Sequence, residues 1–188
     1  MPPIDFTESS DIDPSPAPAL YRSAAEFVTA DEQHALREWA YAMERHLRPN
    51  GPGRAFLQID ALPAPHPLWD AVRQRVVKAM ALGQDAVTES VIGHYLSIIA
   101  RGGAVHRHKD ASPAGTRHLR CNLFLQLPTD GGRPLLRNVA IDVAERALFC
   151  FYASETPHAS EAVGGDRKRI ILSFGYTVPA DHRLPSAP

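Results

Sequence analysis

The stretch GGAVHRHKDASPAG, residues 102–115, governs how this chain is read, because His106, His108 and Asp110 alternate within it. Along extended backbone, alternate residues share a face, with Cα atoms roughly 6.6 Å apart, so two such side chains can converge on one ion. His108 and Asp110 would bring an imidazole and a carboxylate to that point, a mixed N/O donor set. A His-x-Asp pair is often a surface coincidence, so it gains weight only with a further ligand from a distant strand. His158, in SETPHASEAV, follows the apolar run RALFCFY and is the candidate for that ligand. His118 is too close in sequence and alternates against Arg117 and Leu119, and His182 lies in the tail.

Two flanking segments point to a polar cavity beside the candidate ligands. In RKRIILSFGYTV, a strand places Arg167, Arg169, Ile171 and Ser173 on one face. Lys168, Ile170, Leu172 and Phe174 fall on the other, a mostly apolar set expected to pack on helices. An arginine and a serine four residues apart can both reach a carboxylate held between them, and guanidinium grips carboxylate with two parallel prongs. RHLRCNLFLQL divides in the same way, with Leu119, Cys121, Leu123 and Leu125 apolar against Arg120, Asn122, Phe124 and Gln126. Alone, that strand reads as an antiparallel strand with one wet face. Two such strands together favour a polar chamber inside a barrel.

The remainder of the chain suits one domain. Its 188 residues can bury a substantial core, and a formal charge of -1 without any long basic run argues against nucleic acid or an anionic membrane as partner. No apolar run approaches the roughly 20 residues of a bilayer span, and the N-terminus lacks the marks of a signal peptide. Cys121 and Cys150 lie in apolar runs and are expected as buried free thiols of a reducing cytoplasm. Residues 1–20, rich in Pro, Asp and Ser, are expected to form a flexible leader. A helix is predicted from Thr29 as N-cap with Glu32 three positions on, carrying Leu36, Trp39, Ala40 and Met43 as its apolar stripe. A second helix is predicted over HPLWDAVRQRVVKAMAL, closed by Gly83. Helical support over about 21–84 and short strands between turn signals over about 86–179 give an α+β chain, a jelly roll backed by N-terminal helices.

The order His-x-Asp, apolar strand, glycine turn, apolar strand, His, then Arg resembles the Fe(II)/2-oxoglutarate-dependent dioxygenases. GGAVHRHKD and RALFCFYASETPHASEAV resemble the ligand segments of prolyl 4-hydroxylases. LRCNLFLQLP and RKRIILSFGYTVP resemble aspartyl/asparaginyl β-hydroxylases. The resemblance covers about residues 92–179 and implies the double-stranded β-helix, a cupin-like jelly roll. It implies Fe(II) held by His108, Asp110 and His158, the 2-His-1-carboxylate set that leaves positions open for a cosubstrate and O₂. It further implies 2-oxoglutarate paired with Arg169 and assisted by Ser173, with Arg120 and Asn122 toward cosubstrate or substrate. Arg167 is the competing assignment for Arg169. Tyrosines common in the family are replaced by Ile98 and Ile99 and by Phe124. The implied activity is hydroxylation of a C–H in an amino acid, a peptidyl side chain or a small metabolite. A cupin-type metal protein built on His106 and His108 is the alternative, although the glutamate that such a site needs is missing. His106 otherwise has an orienting or substrate role, or simply faces solvent.

Overall fold

Thr29 caps the first helix from both sides. Its hydroxyl accepts from the Glu32 N–H (3.1 Å), and the Glu32 carboxylate accepts from the Thr29 N–H (2.9 Å). A computed structural model describes residues 20–83 and 86–185. Apart from Leu20, the expected leader lies outside the described residues. The two α-helices are α1 (Ala30–Met43) and α2 (Trp69–Ala79). Leu36 and Ala40 of α1 and Val72 and Val76 of α2 are fully buried, as the apolar spacing requires. No helix among the described residues is long and apolar enough to cross a membrane.

The end of α2 differs from expectation. Ala81, not Gly83, takes the left-handed conformation (φ 51°), and the Leu82 N–H reaches back to Val77 O at 2.9 Å while Ala81 N–H reaches Lys78 O at 3.1 Å. These are the two bonds of a Schellman cap, built on a residue whose Cβ disfavours it. Ala81→Gly should therefore stabilise the protein by about 0.5–1 kcal/mol, read as a higher urea midpoint with an unchanged slope.

Thirteen strands lie among the described residues: β1 (Tyr21–Ala24), β2 (Arg48–Pro49), β3 (Arg54–Gln58), β4 (Val87–Thr88), β5 (Tyr95–Ile99), β6 (Thr116–Gln126), β7 (Asp130–Gly131), β8 (Pro134–Leu136), β9 (Val139–Ala140), β10 (Leu148–Tyr152), β11 (His158–Ser160), β12 (Val163–Gly164) and β13 (Arg169–Pro179). The main sheet has the antiparallel order β1-β10-β6-β13-β5-β3-β2, with β4 also on β13. Smaller ladders, β11-β8-β9 and β12-β7, make the second layer. The expected jelly roll is thus the architecture. The N-terminal segment does more than support it, since β1 extends the main sheet at one end and β3 with β2 at the other.

Alternation sorts the core into two clusters. Leu119, Cys121, Leu123, Leu125, Ile170, Leu172 and Phe174 pack on the helices, with Trp69 stacked on Phe174 at 5.0 Å between ring centroids. Phe124, Leu136, Phe149, Phe151 and Ile171 fill the space on the other face. Each large apolar side chain so buried contributes roughly 1.5–3 kcal/mol. Cys121 and Cys150 face each other across β6 and β10 as buried free thiols. Gln126 departs from the predicted face. The β6/β13 register shifts between Ile170 and Ile171, and this bulge turns Gln126 toward α1, where its amide donates to Tyr41 Oη (2.7 Å) and Lys168 O (2.9 Å).

His94 sits against the rings of Trp69, Phe174 and Tyr176, and its Nδ1 accepts from the Gly175 N–H at 3.2 Å. Burial, with the charges of Arg73 and Arg120, lowers its pKa to about 4. The unfolded chain takes up this proton near pH 6.5 and the folded chain only near pH 4. Stability contributed by neutral His94 is therefore present above that window and lost as pH falls through it, at up to about 1.4 kcal/mol per pH unit. Urea midpoints measured across the window should fall with pH, and less steeply in His94→Leu.

Candidate metal centre and its cavity

The segment from Gly103 to Asp110 forms no regular strand and is pinned by backbone hydrogen bonds to its neighbours. Gly102 N–H donates to Val163 O (2.8 Å), Ser160 N–H to Val105 O (3.0 Å) and Asp110 N–H to Ala153 O (3.0 Å). His108 and His158 exchange both backbone bonds, at 3.0 and 2.9 Å, so they form an antiparallel pair with side chains on one face. Gly103 lets this segment dock. A Cβ there would lie 2.7 Å from the carbonyl carbon and oxygen of Gly53, at the turn leading into β3.

That pinning brings the three sequence-predicted ligands together. One ligand atom from each of His108, Asp110 and His158 lies within 4.8 Å of the other two. Asp110 Oδ1 is 3.2 Å from His108 Nε2 and 3.9 Å from His158 Nε2. Donors about 2.1 Å from one ion, at near right angles, stand about 3 Å apart, so the set fits an octahedral metal with little movement. The His108 Nδ1–H donates to His106 O (2.7 Å) and the His158 Nδ1–H to Thr156 O (3.0 Å), which leaves both Nε2 lone pairs facing the shared point. Burial raises the Asp110 carboxyl pKa, but the His108 hydrogen bond and the charges of Arg120 and the two neighbouring histidines outweigh it. The group stays ionised well below the usual carboxylate range. The Asp110 hydrogen bond raises the His108 pKa, while burial lowers that of His158.

The second oxygen of Asp110 is held from behind. Arg120 Nη2 lies 3.4 Å from Oδ2, and His118 Nδ1 lies 3.2 Å from it but out of hydrogen-bond alignment. Arg120 also donates to Gly93 O (2.8 Å) and stands 3.9 Å from Glu89, whose carboxylate accepts the N–H groups of Val91, Ile92 and Gly93. Gly175, opposite Arg120 in register, leaves room for this guanidinium, since a Cβ would meet Nη1 at 2.6 Å. Arg120, expected to face cosubstrate or substrate, lines the cavity beside Asn122, and its hydrogen bonds go to Asp110 and Gly93. His118, set aside as a ligand, is buried beside Asp110, and its alternation with Arg120 and Asn122 carried that signal. The His106 ring is exposed and only its carbonyl reaches His108, so the His-x-His donor pair of a cupin site is not built.

Arg169 lines the same cavity as the three candidate ligands, together with Asn122, Tyr95, Ser97 and Ile99. It is 3 % exposed, its guanidinium rests over the Phe124 ring at 5.3 Å, and its Nε and Nη1 have no hydrogen-bond partner. Burial lowers its pKa to about 10, so it remains charged at neutral pH. A buried cation without a counter-charge is costly, and the cavity in front of it suits a carboxylate. Arg167 precedes β13 and turns outward, bonded to Leu127 O (2.7 Å) and paired with Glu145 at 2.6 Å. Ser173 is fully buried between Asn122 and Tyr95 in register, and its Oγ has no partner. It does not line the cavity. Asn122 does, with Oδ1 likewise free. Tyr95 and Arg54, both in the wall, were missed because β3 and the first residue of β5 carry no motif.

No family model matches the sequence, and no curated protein matches it. Solved structures do. A prolyl-4-hydroxylase of Pseudomonas putida is 22% identical, with TM-score 0.62 over 85% of this chain and 92% of that one. The HygX protein of Streptomyces hygroscopicus, solved with nickel and 2-oxoglutarate bound, is 13% identical, with TM-score 0.65 over 86% of this chain and 84% of its own. A Trichoplax adhaerens prolyl hydroxylase, in complex with a hypoxia inducible factor peptide fragment, is 15% identical, with TM-score 0.64 over 90% and 88%. At these identities the likeness establishes the fold: this chain is a double-stranded β-helix of the form those oxygenases share.

Proposed function

We propose that this protein is an Fe(II)- and 2-oxoglutarate-dependent dioxygenase that hydroxylates a C–H of a small substrate, an amino acid, peptidyl side chain or metabolite. The observation that carries the reading is the placement of an unpaired, buried Arg169 in the cavity onto which His108, Asp110 and His158 converge. In this reading His108 Nε2, His158 Nε2 and Asp110 Oδ1 hold the iron. Arg169 takes the distal carboxylate of 2-oxoglutarate, and Asn122 offers its amide to the cosubstrate. Bound there, Fe(II) with 2-oxoglutarate and O₂ supplies the oxidising chemistry, releasing succinate and CO₂. The chain's own part is to orient and to keep the chamber dry. Arg120 fixes the carboxylate, the carbonyls of His106 and Thr156 fix the imidazoles, and Ile99, Leu136, Phe151 and Ile171 line the wall with hydrocarbon. The free thiols suit a reducing cytoplasm.

Anaerobic addition of Fe(II) and 2-oxoglutarate should produce a visible metal-to-ligand charge-transfer band, and admission of O₂ with a panel of amino acids and peptides should release succinate. Absence of both the band and the succinate would overturn the reading.

A further inference from the structure

We infer that Arg54 is a substrate-binding residue and that the substrate carries a carboxylate. The inference rests on the proposed dioxygenase reading. Arg54 opens β3 and pairs with Ile99, whose other neighbour in the sheet is Arg169. All three positions face one side, so the two arginines enter the same cavity from strands that flank β5, with Cα atoms about 10 Å apart.

Their side chains then diverge. Arg169 leans away from β3, over Phe124 of β6, whereas Arg54 stays over Phe56 of its own strand at 5.3 Å. The two guanidinium groups are therefore set for different anions. Arg54 donates through Nη1 to Asn50 Oδ1 (2.8 Å), which braces the side chain, while its Nε is buried without a partner. The Gly53–Gly103 contact sets the head of β3 directly against the ligand-bearing segment. Arg54 is also close enough for its charge to act on both His108 and Arg169.

Charge accounting gives the ligand class. Asp110 is the only carboxylate lining the cavity among the described residues. With iron and cosubstrate in place, the metal is answered by Asp110 and the chelating carboxylate, Arg169 by the distal carboxylate, and Arg120 by Glu89. Arg54 is left with no anion. A substrate bearing one negative charge, gripped by the planar fork of Arg54, completes the balance.

The test uses protein loaded with Ni(II) in place of iron plus 2-oxoglutarate, so that binding is read without turnover. Three probe sets are titrated by calorimetry: N-acetyl amino acids with a free α-carboxylate, their amides, and N-acetyl-aspartamide and -glutamamide, which offer only a side-chain carboxylate. The wild type should bind members of one carboxylate set at least tenfold tighter than the neutral amides, and which set it is identifies the source of the charge. Arg54→Gln should erase that preference while leaving 2-oxoglutarate affinity within about twofold, and Arg54→Lys should restore part of it. No preference for either carboxylate set in the wild type, a preference that survives Arg54→Gln, or an equal loss of 2-oxoglutarate affinity in that variant would each overturn the inference. Failure of the wild type to bind 2-oxoglutarate at all would instead remove the dioxygenase reading beneath it.

Discussion

Asp110→Ala should lower succinate release by at least about 1,000-fold, well beyond the roughly 10–100-fold that follows loss of a residue that merely orients a metal ligand. The gap follows from what the carboxylate does in this structure. Its Oδ1 completes the donor set, 3.2 and 3.9 Å from the two imidazole nitrogens, and among the described residues its charge is the only negative one in the cavity wall to set against a divalent ion. Two neutral histidines alone give a weak, incomplete site. Arg120→Leu provides the contrast. It removes the 3.4 Å contact to Oδ2 and should fall in the 10–100-fold range, because the donor set itself is retained. In Asp110→Ala the fold should persist. Arg120 keeps its bond to Gly93 O and its proximity to Glu89, so no buried cation is stranded. Nickel titration followed calorimetrically, together with a urea melt of each variant, separates loss of the metal from loss of the protein. Equal effects of the two substitutions on metal affinity would contradict a ligand role for Asp110.

The separate behaviour of Asp110's two oxygens also marks how far the amino-acid sequence could be read. Period-two alternation placed His108 beside Asp110, and the apolar faces of β6 and β13 onto the helices, because side chains on extended backbone have little choice of direction. Helix α1 was legible from Thr29 and Glu32, whose reciprocal bonds involve only neighbours in sequence. What alternation could not show was where it breaks. The bulge before Ile171 turns Gln126 to the helix side, and the start of β13 at Arg169 leaves Arg167 outside the sheet. Both depend on pairing with distant strands. Arg54, Tyr95 and the network of Glu89, Arg120 and His118 were hidden for the same reason. Each acquires meaning from a partner on another strand or loop, and no local spacing encodes such a partner. Ala81 is the reverse case: a local rule favoured Gly83, and the hydrogen bonds of the helix end placed the left-handed residue two positions earlier.

Arg169→Leu should move stability and cosubstrate affinity in opposite directions. In the free protein, Arg169 is a buried cation with two nitrogens lacking partners, held over Phe124 and surrounded by Ile171, Ile99 and Tyr95. Substituting an apolar side chain of lesser reach removes the cost of burying that charge, and well-packed replacements of this kind are neutral or stabilising by about 1–4 kcal/mol. The urea midpoint of metal-free Arg169→Leu should accordingly equal or exceed that of the wild type. With 2-oxoglutarate the sign reverses. Truncating one member of a buried, hydrogen-bonded charge pair costs about 2–5 kcal/mol, which at 1.4 kcal/mol per decade is a loss of about 30- to several thousand-fold in affinity. The charge-transfer band should then appear only at correspondingly higher 2-oxoglutarate concentration. Arg169→Lys should fall between the two, since an ammonium keeps the charge and loses the second prong. A protein that retains its affinity in Arg169→Leu would have its distal carboxylate held by another group.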